Sequence, residues 1–316
     1  MAEPSVASSV EAPIFVLAPA RSYSSVIVAM LGQHPALYGF PELRLFRAER
    51  VAGLLREPPP GTAIPVRERI AGLVRALAQL HEGVQSPEAV VRARYWLAER
   101  SALPVADVLR HLLGLVAPRI GVEKSPESSR TDEALRRMAD AFPGARYVHL
   151  VRHPWPTVAS MMAAWQGLPY WGVPPEGAAQ YCLDVWVEQH RRIAAFGAQL
   201  TEDHFLRVRA EDLLNHPMEN LPTLCRWLGI DNAWTAVHLM AAPERSPYAG
   251  LGPANARAGY DPKFHADPRL RPTAKFSLSP PAGIDMQAPL VDAARGLATT
   301  FGYRLEAGPA REGSPP

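Results

Sequence analysis

The sequence predicts an α/β fold with a central, mostly parallel sheet flanked by helices. Short apolar runs alternate with longer segments of helical periodicity, and such crossovers are what parallel strands require. Proline stands at or beside the start of several helical segments, where its missing N–H costs nothing. The 316 residues are enough to bury a large core. Bounded by turn or polar residues, the predicted strands are Ile14–Ala18, Arg119–Val122, Tyr147–Val151 and Phe205–Val208.

Helical segments fill the intervals between these strands. We expect a single domain over residues 13–305, with a flexible N-terminus at 1–12 and a disordered tail at 306–316. A helical insertion at about residues 52–117 separates the first two predicted strands and is interpreted as a lid or subdomain. The predicted helices are Ser22–Gln33, Pro65–Leu80, Ser86–Arg100, Glu127–Ala141, Pro154–Trp165, Pro175–Leu200, Pro217–Leu228 and Gln287–Phe301.

Composition and charge exclude several classes of function. The chain carries 33 basic and 31 acidic residues, and a net charge of +2 argues against a general binder of nucleic acid or membrane surfaces. Any anion site must therefore be local. Cys182 and Cys225 fall in helical apolar patterns and are expected to be buried free thiols. The sequence shows neither a signal peptide nor an apolar run of membrane-spanning length, so we expect a cytoplasmic protein.

The most informative segment is the first predicted strand, the loop after it and the helix that follows. The strand breaks at Pro19, and Arg21, Ser22, Ser24 and Ser25 come next, at the start of a helix. Unpaired N–H groups at a helix N-terminus and the helix dipole both favour a bound anion. An arginine and several hydroxyls add donors. This pattern predicts a cradle for a phosphate or sulfate ester.

A second cluster repeats this geometry after the strand that ends at Val151. Arg152 and His153 follow the strand, Pro154 starts a helix, and Ser160 lies eight residues after Arg152. Two such cradles at adjacent strand ends would grip two anionic groups of one nucleotide. The alternative is that Arg152 pairs with a carboxylate and Ser160 is simply a small helical residue.

These two clusters resemble motifs of the sulfotransferases that use 3′-phosphoadenosine 5′-phosphosulfate (PAPS), which have a P-loop-like fold. Pro19–Ser25 is similar to their 5′-phosphosulfate loop, and Arg152-x-Pro154-x5-Ser160 to their 3′-phosphate motif. The resemblance runs from about Pro13 to Arg271. It includes further segments similar to family elements: Glu123–Pro126, Phe142–Arg152, Val208–Leu213 and the glycine-containing Leu251–Gly259.

The sequence also departs from the family pattern. Tyr23 replaces the usual loop glycine, so a positive φ there would strain the backbone unless the loop adjusts or the ring stacks on the ligand. Ala210 replaces a common tyrosine. The Arg-Lys-Gly trio of animal cytosolic members is absent, and Arg257 and Gly259 are the candidates to substitute for it.

The resemblance implies roles for individual residues. Arg21 would neutralise charge on the bridging oxygen of the phosphosulfate, and Arg152 with Ser160 would hold the 3′-phosphate. Lys124 would be a second cation near the sulfuryl group; the alternative is a surface lysine. The product would be adenosine 3′,5′-bisphosphate, and no metal is expected. The 5′-phosphate would lie in a cradle formed by Ser22, Tyr23, Ser24 and Ser25.

The acceptor, expected to be a hydroxyl or an amine, needs a general base within hydrogen-bond reach. Glu42 is the first candidate, because bacterial relatives often carry a glutamate near the acceptor there. His265 is the second candidate, in a loop that would fold over the site. The alternatives are a helix-start glutamate and a bystander histidine. The resemblance implies a small-molecule or carrier-protein-bound acceptor, and no nucleic-acid partner.

Two other functions stay open from the sequence. A P-loop phosphotransferase would need G-x-x-x-x-G-K-[ST] and an acidic magnesium ligand at a strand end. Here an arginine stands in the loop, and Arg152 rather than an aspartate follows the strand. The other alternative is a catalytically degenerate member that only binds a nucleotide, for which Tyr23 and Ala210 are the best support.

Overall fold

The computed structural model describes residues 12–57, 65–165, 177–257, 259–273, 280 and 286–304. The N-terminus predicted to be flexible and the tail predicted to be disordered lie outside the described residues, apart from residue 12. Residues 167–176 of the proline-rich segment Gly167–Gly177 also lie outside the described residues.

The described residues contain a five-stranded, entirely parallel sheet, which confirms the predicted α/β class. The strands lie in the order β2-β3-β1-β4-β5, so the first strand is central. Because all strands run the same way, their carboxyl ends share one edge. The strands are β1 (Ile14–Leu17), β2 (Leu37–Gly39), β3 (Ile120–Glu123), β4 (Arg146–Val151) and β5 (Phe205–Arg209).

The edge strand β2 was not predicted. It spans three residues, too few for a periodic pattern, and pairs with β3 through Leu37 opposite Ile120. The helical insertion therefore connects β2 to β3 rather than following β1 directly.

The predicted helices are found with ends shifted by a few residues, except that the segment predicted as Pro65–Leu80 is divided at Ile70 into two helices. The helices are α1 (Ser24–Leu31), α2 (Val51–Leu55), α3 (Val66–Arg69), α4 (Ala71–Glu82), α5 (Pro87–Glu99), α6 (Val105–Val116), α7 (Asp132–Ala141), α8 (Pro154–Trp165), α9 (Ala178–Gly197), α10 (Ala210–Asn215), α11 (Pro217–Trp227), α12 (Trp234–Leu239), α13 (Pro262–Ala266) and α14 (Ala288–Thr300).

Strand β1 is buried on both faces, as expected for the centre of a parallel sheet. Phe15 and Leu17 pack into a core shared with the insertion helices, including Leu77 of α4. Ile14 and Val16 point to the other face and pack with α1, α10 and α11. The two faces together fix the position of the loop that leaves β1, which carries the first predicted cradle.

The cysteines and the lengths of the helices were also the subject of predictions from the sequence. Cys182 and Cys225 are free and buried, as predicted, and burial raises the pKa of each thiol to about 11. Across the described ranges, none of the helices is both long and apolar enough to cross a membrane.

Candidate anion-binding cleft

A cleft of about 1060 Å³ opens at the edge where the strands end. Arg21 and Arg152, from the two predicted clusters, both line it. The described lining is strongly basic, although the whole chain is nearly neutral. Its charged side chains are the cations Arg21, Arg44, Arg47, Arg69, Lys124, Arg130, Arg152, Lys263, Arg269 and Arg271, against the carboxylates Glu42, Glu127, Asp261 and Asp267.

The loop after β1 adopts an unusual backbone conformation. Arg21 has φ +67° and Tyr23 has φ +60°, both in the left-handed region that side chains other than glycine rarely adopt. Each costs on the order of 1–2 kcal/mol. Alternation of such residues turns successive N–H groups toward one point and forms an anion-binding concavity. Helix α1 begins directly after the loop, with Ser24 and Ser25 buried in its first turn.

Tyr23 does more than replace the expected glycine. The Arg152 guanidinium lies 3.9 Å from the centre of the Tyr23 ring, and its Nη2 donates to the Tyr23 hydroxyl at 3.1 Å. Its Nη1 donates to the carbonyl of Arg21. A cation over an aromatic ring contributes about 0.5–2 kcal/mol, comparable with the strain at Tyr23. The ring therefore stacks on Arg152 and joins the two predicted clusters.

Arg152 is 7% exposed, and burial lowers the pKa of its guanidinium. Trp186 donates an indole hydrogen bond to the Arg152 carbonyl at 3.1 Å, which fixes the end of β4. The Arg152 Nε has no partner within the described residues. Arg152 forms no ion pair with a described carboxylate, which contradicts the alternative that it pairs with one.

Ser160 lies in the same cleft but bonds Arg21 rather than Arg152. The Arg21 Nε donates to the Ser160 hydroxyl at 3.1 Å. The same guanidinium pairs with Asp261, whose backbone N–H donates to the Ser25 hydroxyl at 3.0 Å. Asp261, a residue the sequence analysis did not single out, thus holds the mouth of the cradle through its backbone and its carboxylate.

Lys124 follows β3 and is buried, so the interpretation as a surface lysine is wrong. Its side chain is 3% exposed. The ammonium donates to the Ser25 hydroxyl at 3.1 Å and to Glu42 Oε1 at 2.5 Å. Lys124 therefore connects the cradle of β1 to the predicted general base.

Glu42 lies between two cations. Arg44 donates to Glu42 Oε2 through Nε at 3.2 Å and through Nη2 at 2.7 Å, opposite the bond from Lys124. Burial by itself raises the pKa of Glu42, but the charges of Lys124 and Arg44 outweigh burial and lower that pKa to about 2. The carboxylate is therefore ionised at neutral pH.

The backbone of Glu42 is fixed by two glycines. Its N–H donates to the Gly259 carbonyl at 2.7 Å, and Gly259 has φ +110°. A Cβ on Gly72 of α4 would lie 2.2 Å from the Glu42 carbonyl oxygen, so only glycine fits there. Gly259, a candidate for nucleotide binding, does not line the cleft and contacts the backbone of Glu42.

Replacing Gly72 with alanine is expected to destabilise the fold by about 1–3 kcal/mol, because the clash is with backbone and cannot relax through a side chain. Gly114 of α6 is a matched control, since an added Cβ there meets nothing within 4 Å. Helix propensity predicts that Gly114→Ala stabilises the protein by about 0.5–1 kcal/mol. Urea unfolding of both variants checks this, and equal stability of the two would contradict the packing argument.

The other two candidates lie outside the cleft. Both ring nitrogens of His265 contact backbone: Nδ1 lies 3.0 Å from the Ala249 carbonyl, and Nε2 accepts from the Tyr260 N–H at 3.2 Å. The His265 ring therefore stabilises the backbone around Ala249 and Tyr260. Arg257 is exposed and does not line the cleft.

Sequence reasoning missed two buried carboxyl groups that order the strand ends. Glu123 is 2% exposed and accepts from the Ser125 hydroxyl, and burial raises its pKa to about 7. Glu211 accepts from the backbone N–H of His153 at 3.0 Å and from the Tyr303 hydroxyl at 2.7 Å. Both glutamates lie inside segments that resemble the family, but the resemblance implied no role for either carboxyl group.

No group of His, Cys, Asp or Glu suited to a metal ion occurs in the part of the chain that the structure describes.

Comparisons with known proteins agree with this geometry. A model of the sulfotransferase family matches residues 13–236. A sulfotransferase domain from the curacin biosynthetic pathway has a similar structure, with 23% identity, 93% of this chain and 99% of that chain covered, and a TM-score of 0.73. The sulfotransferase domain of the Synechococcus PCC 7002 olefin synthase is also similar, with 25% identity, coverage of 93% and 95%, and a TM-score of 0.70.

The search of curated proteins returned no match. The family match covers well over half of the chain, and it begins at the strand that leads into the cleft. The two structural neighbours share the α/β fold. The chain is therefore a member of the sulfotransferase family.

Proposed function

We propose that the protein transfers a sulfuryl group from PAPS to a hydroxyl of a small-molecule or carrier-bound acceptor. One observation carries the proposal: Lys124, Arg21 and Arg152 follow the neighbouring strands β3, β1 and β4 and line one cleft. Two anionic groups of one nucleotide match this row of cations. An acceptor from a biosynthetic pathway agrees with the origin of the two similar sulfotransferase domains.

Residues of the cleft fit such a donor. The Ser22 hydroxyl is buried and has no partner within the described residues, and the same holds for Arg152 Nε. A buried polar group without a partner is costly, so both atoms are suited to a ligand. In this proposal the loop from Ser22 to Ser25 holds the 5′-phosphate and Arg152 holds the 3′-phosphate. Ser160 orients Arg21, through the bond between them, and lies beside the 3′-phosphate.

In the proposed transfer, different residues stabilise the leaving group and take the proton. The acceptor oxygen forms a bond to sulfur, the bond between sulfur and the bridging oxygen breaks, and the electron pair leaves on the 5′-phosphate. Arg21 and Lys124 stabilise the charge that develops on that oxygen, as fixed cations do in phosphoryl transfer. Glu42 takes the hydroxyl proton. An anion beside Lys124 offsets its charge, which raises the pKa of Glu42 and makes it a better base.

Glu42→Gln is expected to lower kcat by about 10²–10⁴-fold, the usual contribution of a general base. Affinity for adenosine 3′,5′-bisphosphate should change little. Asp267→Asn is the matched control: this carboxylate lines the same cleft but pairs with Arg269 and Arg271. Steady-state rates and calorimetric titration measure the two effects. A full rate in Glu42→Gln would exclude this residue as the base.

The donor is tested by thermal unfolding with adenosine 3′,5′-bisphosphate, AMP, and ATP with magnesium. We expect the bisphosphate to raise Tm most, because only it presents both anions, and turnover with PAPS to persist in a chelator. Stabilisation by ATP and magnesium alone would favour a phosphotransferase. Stabilisation by the bisphosphate without turnover on any hydroxyl acceptor would favour a binding protein.

A further inference from the structure

The cleft contains a second group of cations that the proposed donor does not use. Arg44, Arg47 and Arg69, here called the guanidinium cluster, line the cleft together. Arg44 precedes the first 3₁₀ turn after β2, Arg47 is the last residue of that turn, and Arg69 ends α3 of the insertion. Three guanidinium groups brought together from two separate segments repel one another, so their proximity calls for an anion.

A continuous line of contacts places the cluster away from the donor cradle. Ser25 of the cradle accepts from Lys124, and Lys124 pairs with Glu42. Glu42 in turn pairs with Arg44 at 2.7 Å, and Arg44 lies 3.5 Å from Glu127. Glu42 thus separates the cations next to the cradle from the guanidinium cluster. With Glu42 as the proposed base, a group that binds the cluster would lie on the acceptor side of that residue.

Two members of the cluster lack a close negative partner. Arg44 pairs with Glu42 and Glu127, but no described carboxylate forms a close ion pair with Arg47 or Arg69, on which Glu127 and Glu57 act only at longer range. Arg69 is 7% exposed; its Nη2 donates to the Arg56 carbonyl at 2.5 Å, while its Nε is buried and without a partner among the described residues. A buried guanidinium atom at a cleft wall, left without an acceptor, is suited to a ligand oxygen.

The charges of the cluster act on one another. Partial burial lowers the pKa of Arg47, and the charges of Arg69 and Arg44 lower it further, while the charge of Glu127 acts in the opposite direction. Burial also lowers the pKa of Arg69; the charge of Glu57 opposes this effect, and the charge of Arg44 adds to it. An anion placed among these side chains would relieve both effects, since it offsets the repulsion and returns hydrogen-bond acceptors to buried donors.

We propose that the guanidinium cluster is an acceptor subsite that binds an anionic group, a carboxylate or a phosphate ester, of the molecule that receives the sulfuryl group. This inference rests on the proposed function, because it takes Glu42 as the boundary between donor and acceptor. It predicts that acceptors are anionic hydroxy compounds rather than neutral ones. Arginine suits this task, since its planar fork binds either anion through two parallel hydrogen bonds.

The test fills the donor site first and then titrates inorganic phosphate, with chloride at matched ionic strength as reference. Adenosine 3′,5′-bisphosphate at saturation blocks the cradle but leaves the sulfuryl position empty, so a further saturable rise in Tm reports the cluster only where substitutions in the cluster reduce it. Arg69→Gln and Arg47→Gln are each expected to weaken that phosphate response about tenfold or more. Arg136→Gln, on the exposed face of α7, is expected to leave it unchanged.

A second arm identifies the source of the anion. The same titration uses 3-hydroxybutyrate and its neutral methyl ester. Tighter binding of the carboxylate than of phosphate indicates a hydroxy acid, and the reverse order indicates a phosphate ester. Arg47 is exposed, so Arg47→Gln should fold even where Arg69→Gln does not. Arg69→Lys, which keeps the charge, is expected to recover part of the response.

The outcomes separate this inference from the function on which it rests. If the bisphosphate stabilises the protein but neither anion adds a saturable response, the acceptor subsite is wrong and the donor site stands. A response that is equal in wild type, Arg47→Gln and Arg69→Gln also overturns the subsite. If the bisphosphate itself gives no stabilisation, the proposed donor site fails, and the subsite fails with it.

Discussion

Arg152→Ala is expected to weaken binding of adenosine 3′,5′-bisphosphate by about 10²-fold and to abolish its preference over AMP. The buried guanidinium would form charge-assisted hydrogen bonds to the 3′-phosphate, each contributing about 1.5–3 kcal/mol. AMP lacks that phosphate, so its affinity should change much less. Calorimetric titration of both nucleotides against wild type and variant measures the difference.

A second variant separates the charge of Arg152 from its support of the loop. Tyr23→Phe removes the hydroxyl that accepts from Arg152 but keeps the ring on which the guanidinium stacks. We expect this variant to keep the preference for the bisphosphate and to lose only a few-fold in affinity. If Arg152→Ala retained the preference, the second cradle would not be a 3′-phosphate site.

Lys124→Met is expected to lower kcat by about 10²–10³-fold, the effect of removing one preorganised group that stabilises transition-state charge. Methionine keeps the length of the buried side chain without its charge. Adenosine 3′,5′-bisphosphate lacks the sulfuryl group, so its affinity should fall far less than the rate. Steady-state turnover and nucleotide titration on one preparation compare the two effects.

Loss of Lys124 also leaves Glu42 with a single cationic partner, Arg44. The pKa of Glu42 is therefore expected to rise in Lys124→Met, and part of the loss in rate would be a consequence of that change. The double variant Lys124→Met/Glu42→Gln removes both charges, so its rate compared with that of Glu42→Gln gives the contribution of the lysine charge alone. Lys124→Arg retains that charge. A wild-type rate in Lys124→Met would show that the lysine serves only to pair Glu42.

The fold and half of the cleft were predictable because their determinants are local in sequence. Four of the five strands are apolar runs bounded by turns, and the cradle of Arg21 and Ser22 follows β1 directly. Strand β2 was missed because three residues carry no period. The prediction that Arg21 and Arg152 share one cleft is confirmed, since parallel strands bring their carboxyl ends to one edge.

Side-chain pairing was not predictable from local pattern. The sequence suggested that Ser160 belongs with Arg152, yet Ser160 accepts from Arg21. Tyr23 has the positive φ that the sequence predicts to be strained, and its ring stacks on Arg152, a partner that the sequence did not indicate. Such contacts join residues more than a hundred positions apart and depend on which loops the sheet brings together.

By itself the sequence determined the α/β class and the two predicted cradles, because each follows from a strand, a turn and a helix start close together in the chain. The candidate carboxylate Glu42 came instead from the resemblance to the family. Only the tertiary structure decided that Lys124 is buried against Glu42, that His265 and Arg257 lie outside the cleft, and that Arg69 of the insertion joins Arg44 and Arg47. The physical reason is that charge and burial depend on distances in space between segments far apart in sequence, and packing around the sheet alone sets those distances.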